Sequence, residues 1–287
     1  MRAPTFARGR PPPPDGSPRL YDGRALAYSG PGLFFATKNA RRGMARRMFL
    51  LERNDDYARL TLHRPEARNA IPAAGWAEFA DAVGRVAASD VRLLVVTGAG
   101  GAFCAGADLG DFPAMRGDEA AVTRFRTDMR AALDALRALA IPTLAVVEGA
   151  CYGAGVALAI ACDIRVAANV SEFAITPAKI GISYPQEDVH RLVALIGPGH
   201  AARMLFTAGK VYGGEAVEIG LADYHGPREQ EAIEAILAND PESLIVLKRA
   251  IGLAAANVRT DPEIDARFDA LLASENAAGR LEALRRK

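Results

Sequence analysis

Two short apolar runs constrain this chain most strongly. Val91 to Val96 (VRLLVV) and Pro142 to Val147 (PTLAVV) each end in a loop made almost entirely of Gly and Ala. Runs this short, bounded by turn signals, predict strands buried on both faces. Ala58 to Leu62 (ARLTL) alternates as a half-buried strand does, and Asp163 to Ala167 and Glu172 to Ile175 read as further strands. Helical spacing fits Ala73 to Val86 and also Glu119 to Leu139, where Val122, Phe125, Met129, Leu133 and Leu136 recur; Ala154 to Ala161 reads as a buried helix. Strands separated by helices require crossover connections, so the fold class is α/β with layered packing.

Beyond about residue 186 the pattern turns helical, with candidate helices at 187–196, 199–207, 214–219, 228–238, 241–256, 261–273 and 275–286. Gly197-Pro198-Gly199, Gly213-Gly214 and Asp240-Pro241 punctuate them. The expected organisation is an α/β core over 44–200 followed by a helical C-terminal and oligomerisation region over 201–287. Residues 1–43 have a different composition, with a proline run from Pro11 to Pro14 and scattered Gly and Arg. This predicts disorder, an Arg-rich transit segment, or an extension upstream of a start at Met44 or Met48.

The 287-residue chain is half hydrophobic, which is enough for one large core. The longest apolar stretch, Pro142 to Ala168, is interrupted by Glu148, Asp163 and Arg165, so no membrane span is expected and a cytoplasmic protein is. Residues 1–47 hold ten Lys and Arg against two acids, whereas the remainder holds 25 basic and 32 acidic residues. An acidic body argues against general nucleic-acid binding. Cys104, Cys151 and Cys162 make neither a disulfide framework nor a zinc pattern and read as buried thiols. A nucleophilic Cys104 would need a histidine base, and no histidine is near it in sequence.

The chemistry must come from three segments: HRPEARNAI (63–71), VVTGAGGAFCAGADL (95–109) and VVEGACYGAGVALAIACDI (146–164). The second and third repeat one idea. A buried strand runs into a Gly/Ala loop, and in the third segment Gly153-Ala154-Gly155 opens an apolar helix. Such loops have few side chains able to move protons, so what they offer is backbone N–H groups. A helix N-terminus adds free donors and the positive end of a dipole. Two loops with one N–H each can form a two-donor oxyanion hole. A dinucleotide site has no G-x-G-x-x-G to rest on, and no Gly-Lys-Ser/Thr marks a P-loop.

Read together, the blocks R-P-x-x-x-N-A (64–70), G-x-x-F-x-A-G-x-D-L (100–109), G-x-x-x-G-x-G (149–155) and A-x-x-C-D-I (159–164) resemble the crotonase, or enoyl-CoA hydratase/isomerase, superfamily over about Met48 to Leu284. The resemblance implies a core of repeated ββα turns forming a spiral and a helical C-terminal region. It also implies trimers or dimers of trimers and a CoA thioester substrate, with no metal or redox cofactor. By position it assigns the oxyanion donors to Ala107 and Ala154. The CoA cradle falls to Arg64, Ala67 and Asn69 with Ala105, Gly106, Asp108 and Leu109, flanked by Gly153 and Gly155. Asp108 is expected to order its loop.

The sequence departs from the family where hydratases place two glutamates. Ala157 and Pro177 stand there, and neither carries a proton. TPAKIGISYP (176–185) is similar to crotonase-family methylmalonyl-CoA decarboxylases, whose active-site tyrosine matches Tyr184. Glu187 and Asp188 are candidates for a relocated acid, or acids favouring a helix start. Glu148 is a strand-end acid, read as bonded to backbone. Lys248 and the terminal Arg285-Arg286-Lys287 are candidates for a CoA phosphate contact. Three readings stay open: an isomerase or atypical hydratase, a malonyl-type decarboxylase using Tyr184, and a non-catalytic acyl-CoA binder.

Overall fold

The computed structural model describes residues 47–286. The expectations for residues 1–43, for a start at Met44 and for Lys287 lie outside the described residues. Strands β1 (Phe49–Asn54) and β2 (Tyr57–Leu62) pair antiparallel. Helix α1 (Gly75–Ala87) buries Trp76, Phe79, Val83 and Val86 and leads into β3 (Leu93–Gly98). A single turn, α2 (Phe112–Met115), precedes the 19-residue α3 (Glu119–Arg137) and β4 (Thr143–Val147). The chain continues through β5 (Ala150–Tyr152), α4 (Ala154–Ala161), β6 (Ile164–Ala167) and β7 (Glu172–Ala174). Helix α5 (Gln186–Thr207), β8 (Val211–Tyr212), α6 (Gly213–Glu218) and β9 (Tyr224–His225) follow. Four helices end the chain: α7 (Glu229–Leu237), α8 (Pro241–Ala255), α9 (Pro262–Leu272) and α10 (Glu275–Arg285).

The main sheet has the order β1-β2-β3-β4-β6-β9, parallel after its first pair. A smaller sheet, β5-β7-β8, stands beside it. The apolar runs are buried on both faces, and the strand period of two divides them. Leu94, Val96, Ala145 and Val147 enter the main core with α1, α3 and α4. Leu93, Val95, Leu144 and Val146 face a second cluster with Ala232, Ile233 and Ile236 of α7. This is the α/β architecture expected from the sequence.

The helices expected at 187–196 and 199–207 are the two limbs of α5, which meet at a kink where Gly197 takes φ +72°. Among the described residues no helix is long and apolar enough to cross a membrane.

Candidate active site

The site is built around a backbone zipper between the two Gly/Ala loops. The Cys104 N–H donates to Ala150 O at 3.0 Å, and the Tyr152 N–H donates to Cys104 O at 2.8 Å, so Cys104 and Cys151 form a parallel bridge. Ala107 and Ala154 each stand three residues beyond that bridge. The first loop is then anchored to the segment after β2, because Ile71 N donates to Gly106 O and Asp108 N donates to Ile71 O, at 2.8 and 2.9 Å. The second is anchored to β7 through Gly153 N and Ala174 O at 2.9 Å. These bonds leave out the N–H groups of Ala107 and Ala154, which have no hydrogen-bond partner among the described residues.

Gly106 makes the approach of the loops possible. Its φ is +102°, and a Cβ there would lie 2.7 Å from Tyr152 O and 3.4 Å from Ala154 N. Gly155 acts in packing only, since a Cβ there would fall 2.3 Å from Cys104 O. Ala154 opens the eight-residue α4, so its N–H is one of the free donors at the positive end of a helix.

A cavity of about 530 Å³ opens onto both loops. Ala105, Gly106, Ala107, Leu109, Gly153, Ala154, Tyr184 and Asp188 stand in its wall. The rest of the wall is mainly apolar, with Phe112, Val122, Phe125 and Met129 on one side and Ile180 and Ile182 on another. Phe112 and Phe125 meet edge to face at 5.9 Å. The helical spacing of Val122, Phe125 and Met129 is visible in the sequence, but it does not reveal that this stripe faces a cavity.

Arg64, Asn69 and Asp108 hold the loops rather than line the cavity. Asn69 is 1 % exposed with φ +58°. Its Nδ2 donates to Ala99 O and Ala102 O at 2.8 and 2.7 Å, and its Oδ1 accepts from Arg64 N at 2.9 Å, so no polar atom is left for a ligand. Arg64 Nη1 donates to Ala70 O and to Asp108 Oδ2, at 2.8 and 3.0 Å. Asp108 Oδ1 accepts from Gly110 N at 3.0 Å. That backbone bond, followed by Arg64, holds the Asp108 carboxyl below the usual carboxylate range. Ala67 lies in the short turn Pro65–Ala67, outside the cavity wall.

The two candidates for a relocated acid, Glu187 and Asp188, separate sharply. Glu187 is exposed and stands outside the cavity wall. Asp188, one residue on, is fully buried and is the single carboxylate in that wall among the described residues. Its Oδ1 accepts from Arg130 Nη1 at 2.8 Å, with Arg191 Nη1 at 3.7 Å; its Oδ2 has no hydrogen-bond partner. A buried polar atom left unpaired costs about 1–3 kcal/mol. Behind Asp188, Arg191 and Arg130 also pair with Asp134, at 2.7 and 3.2 Å.

Tyr184 donates its hydroxyl to Gly153 O at 3.0 Å, the carbonyl just before the Ala154 donor. Burial, reinforced by Asp188, pushes its phenol well above the ordinary value, so it remains neutral. Ala157, in the place of the first family glutamate, is 1 % exposed and outside the cavity wall, whereas Pro177 stands in it. Glu148 is exposed rather than bonded to backbone. Lys248 is engaged internally, with Asp163 and Ile141 O both at 2.8 Å, rather than presented to a neighbour. Burial pushes the Cys104 thiol up to about 12, which removes it as a nucleophile.

Residues 52–260 match a family model described as enoyl-CoA hydratase/isomerase. An enoyl-CoA isomerase/hydratase of Mycosarcoma maydis, fer4, is 32 % identical over 247 residues, covering 79 % of this chain and 89 % of that protein. A crotonyl-CoA hydratase of Syntrophomonas wolfei is 34 % identical over 184 residues, covering 62 % of this chain and 69 % of that protein. Among solved structures, an enoyl-CoA hydratase/isomerase family protein of Hyphomonas neptunium superposes with a TM-score of 0.77 at 34 % identity, covering 84 % of this chain and 95 % of that one.

Proposed function

The chain belongs to the enoyl-CoA hydratase/isomerase family, and from that premise we propose that it moves a double bond along an acyl-CoA thioester by way of an enolate. The observation that carries this reading is Asp188, a lone buried carboxylate in the wall that also holds the free N–H groups of Ala107 and Ala154. The two N–H groups receive the thioester oxygen as it gains charge. Asp188 takes a proton from the carbon next to the thioester carbonyl or from its vinylogous position. The electron pair moves toward the thioester oxygen, and the proton is returned at the other carbon, so the acyl group changes neither mass nor redox state. One carboxylate suffices for such a transfer. Arg130 holds Asp188 in place, and Tyr184 fixes Gly153 beside the second donor.

Hydration has less support. It needs a group to activate water besides the proton handled at carbon, and Ala157 and Pro177 supply none. Decarboxylation of a malonyl-type ester has less support as well, because the Tyr184 hydroxyl proton is directed at Gly153 O. The apolar wall suits an unsubstituted acyl chain. Exposed Phe206, Phe268, Leu272 and Leu284 support self-association, and sedimentation of a monomer at working concentration would contradict that part.

The test is one incubation with mixed 3-enoyl-, 2-enoyl- and malonyl-type CoA esters, followed by chromatography and mass spectrometry. Interconversion of the two enoyl isomers at unchanged mass is the expected result. Gain of water would assign hydration, loss of CO₂ would assign decarboxylation, and no change in any ester would assign binding alone.

A further inference from the structure

The charges behind Asp188 open onto a second cavity, of about 650 Å³, lined by the ends of α3 and α4 and by α5, α8 and α9. Leu139, Ile160 and Ile245 give it apolar walls. Its ionic lining is lopsided: among the described residues Asp163 is the only acid, against six Arg and Lys side chains. Five of these are engaged, Arg165 with Asp223, Lys248 with Asp163, Arg249 with Glu263, Arg191 with Asp134 and Arg267 with Glu242. Arg137 has no ion pair or hydrogen bond among the described residues. Its side chain is exposed at the cavity mouth, with the Arg191 guanidinium as a like-charged neighbour.

Arg191 lines the same cavity, and its buried Nη1 has no hydrogen-bond partner. Six buried side-chain polar atoms lack a partner among the described residues, and four belong to Arg130, Asp188 and Arg191. Three guanidinium nitrogens and one carboxylate oxygen without a hydrogen bond are thus concentrated between the two cavities. Buried polar groups are normally satisfied, so such a cluster calls for an explanation.

We propose that this second cavity binds a carboxylate carrying an apolar tail, and that Arg191 couples it to Asp188. Arg137 and Arg191 hold the carboxylate by charge-assisted hydrogen bonds, while Leu139, Ile160 and Ile245 receive the tail. An anion there competes with Asp134 and Asp188 for the Arg191 guanidinium, so occupancy of one cavity is felt in the other. The binding claim stands apart from the reaction assigned above, because its readout is affinity and not turnover.

The experiment is calorimetric titration of the full chain with octanoate, with inorganic phosphate as the probe lacking a tail. Octanoate should saturate at one per chain and bind at least about tenfold more tightly than phosphate. Arg137→Gln should weaken octanoate about tenfold or more, through loss of a charge-assisted contact, with the melting temperature unchanged. Asp188→Asn removes a negative charge 3.7 Å from Arg191 Nη1, leaving Arg191 paired with Asp134, and should tighten octanoate several-fold, but only while Arg137 is present. Equal octanoate affinity in wild type and Arg137→Gln would overturn the site, and phosphate binding as tightly as octanoate would overturn the tail pocket. No effect of Asp188→Asn would overturn the coupling. Octanoate binding that weakens as protein concentration rises would assign the cavity to a second copy of this chain instead.

Discussion

The two halves of the proposed catalytic cavity are made by different means. The side proposed to hold the thioester oxygen is backbone, with strands and loops zipped together by main-chain hydrogen bonds and two N–H groups left over. The acid side is side chain, with Asp188, Arg130, Arg191 and Asp134 in a buried network that leaves several polar atoms unpaired. The backbone half is fixed by where Gly and Ala occur and offers little to tune. The side-chain half carries desolvated charge, so its properties change with any partner added or removed.

The strongest way to break this contrast is Arg130→Met, which leaves Asp188 buried without its main counter-ion. Stability should fall by about 3–5 kcal/mol, measured by denaturant unfolding, and the double variant with Asp188→Leu should recover most of the loss. A fall below about 1 kcal/mol would show that the network is not an energetic unit.

The backbone half is tested by Ala154→Pro, which removes the N–H. Proline is tolerated at the first position of a helix, where Ala154 stands, so the fold should hold. Turnover should drop about 100- to 1,000-fold, with melting shifted far less than in Arg130→Met. Unchanged turnover in the folded variant would remove Ala154 from the site.

Asp108 sharpens the comparison from the loop side. Its carboxyl is held below its ordinary value first by Gly110 N–H and then by Arg64, so its stabilisation is present above the usual carboxylate range. It is lost as pH falls through the depressed folded value. Asp108→Asn keeps an acceptor for Gly110 N–H but loses the ion pair with Arg64, so it should cost up to about 1 kcal/mol at neutral pH and flatten the acid limb of the stability curve. A parallel acid limb in variant and wild type would contradict this. The smallest effect belongs to Glu187→Gln, expected to leave turnover within about twofold because its side chain is solvated; a large loss would bring Glu187 back as the relocated acid.

The sequence speaks clearly for the backbone half, because its signals are local. Runs such as VRLLVV and the following Gly/Ala loops place strand, loop and donor within a few residues of one another. The side-chain half depends on positions 58 residues apart, Arg130 and Asp188, and on the phase with which α5 begins. Glu187 and Asp188 cannot be told apart in a string of letters, yet a helix rotates one into solvent and its neighbour into the core. Asn69 illustrates a further limit: a polar residue in a motif block invites assignment to a ligand, while its three hydrogen bonds all serve to tie loops together. Strands β8 and β9 are two residues each, too short to show any period. The exposed outer end of β1 hides its alternation.

The central claim is that Asp188 moves the proton. It is tested most directly by following deuterium uptake from D₂O into the acyl carbons of 3-hexenoyl-CoA, with wild type and Asp188→Asn compared at saturating ester. Wild type should incorporate deuterium next to the thioester carbonyl. The variant should still bind the ester and exchange about 100- to 10,000-fold more slowly. Exchange at the same rate in both proteins would contradict the account.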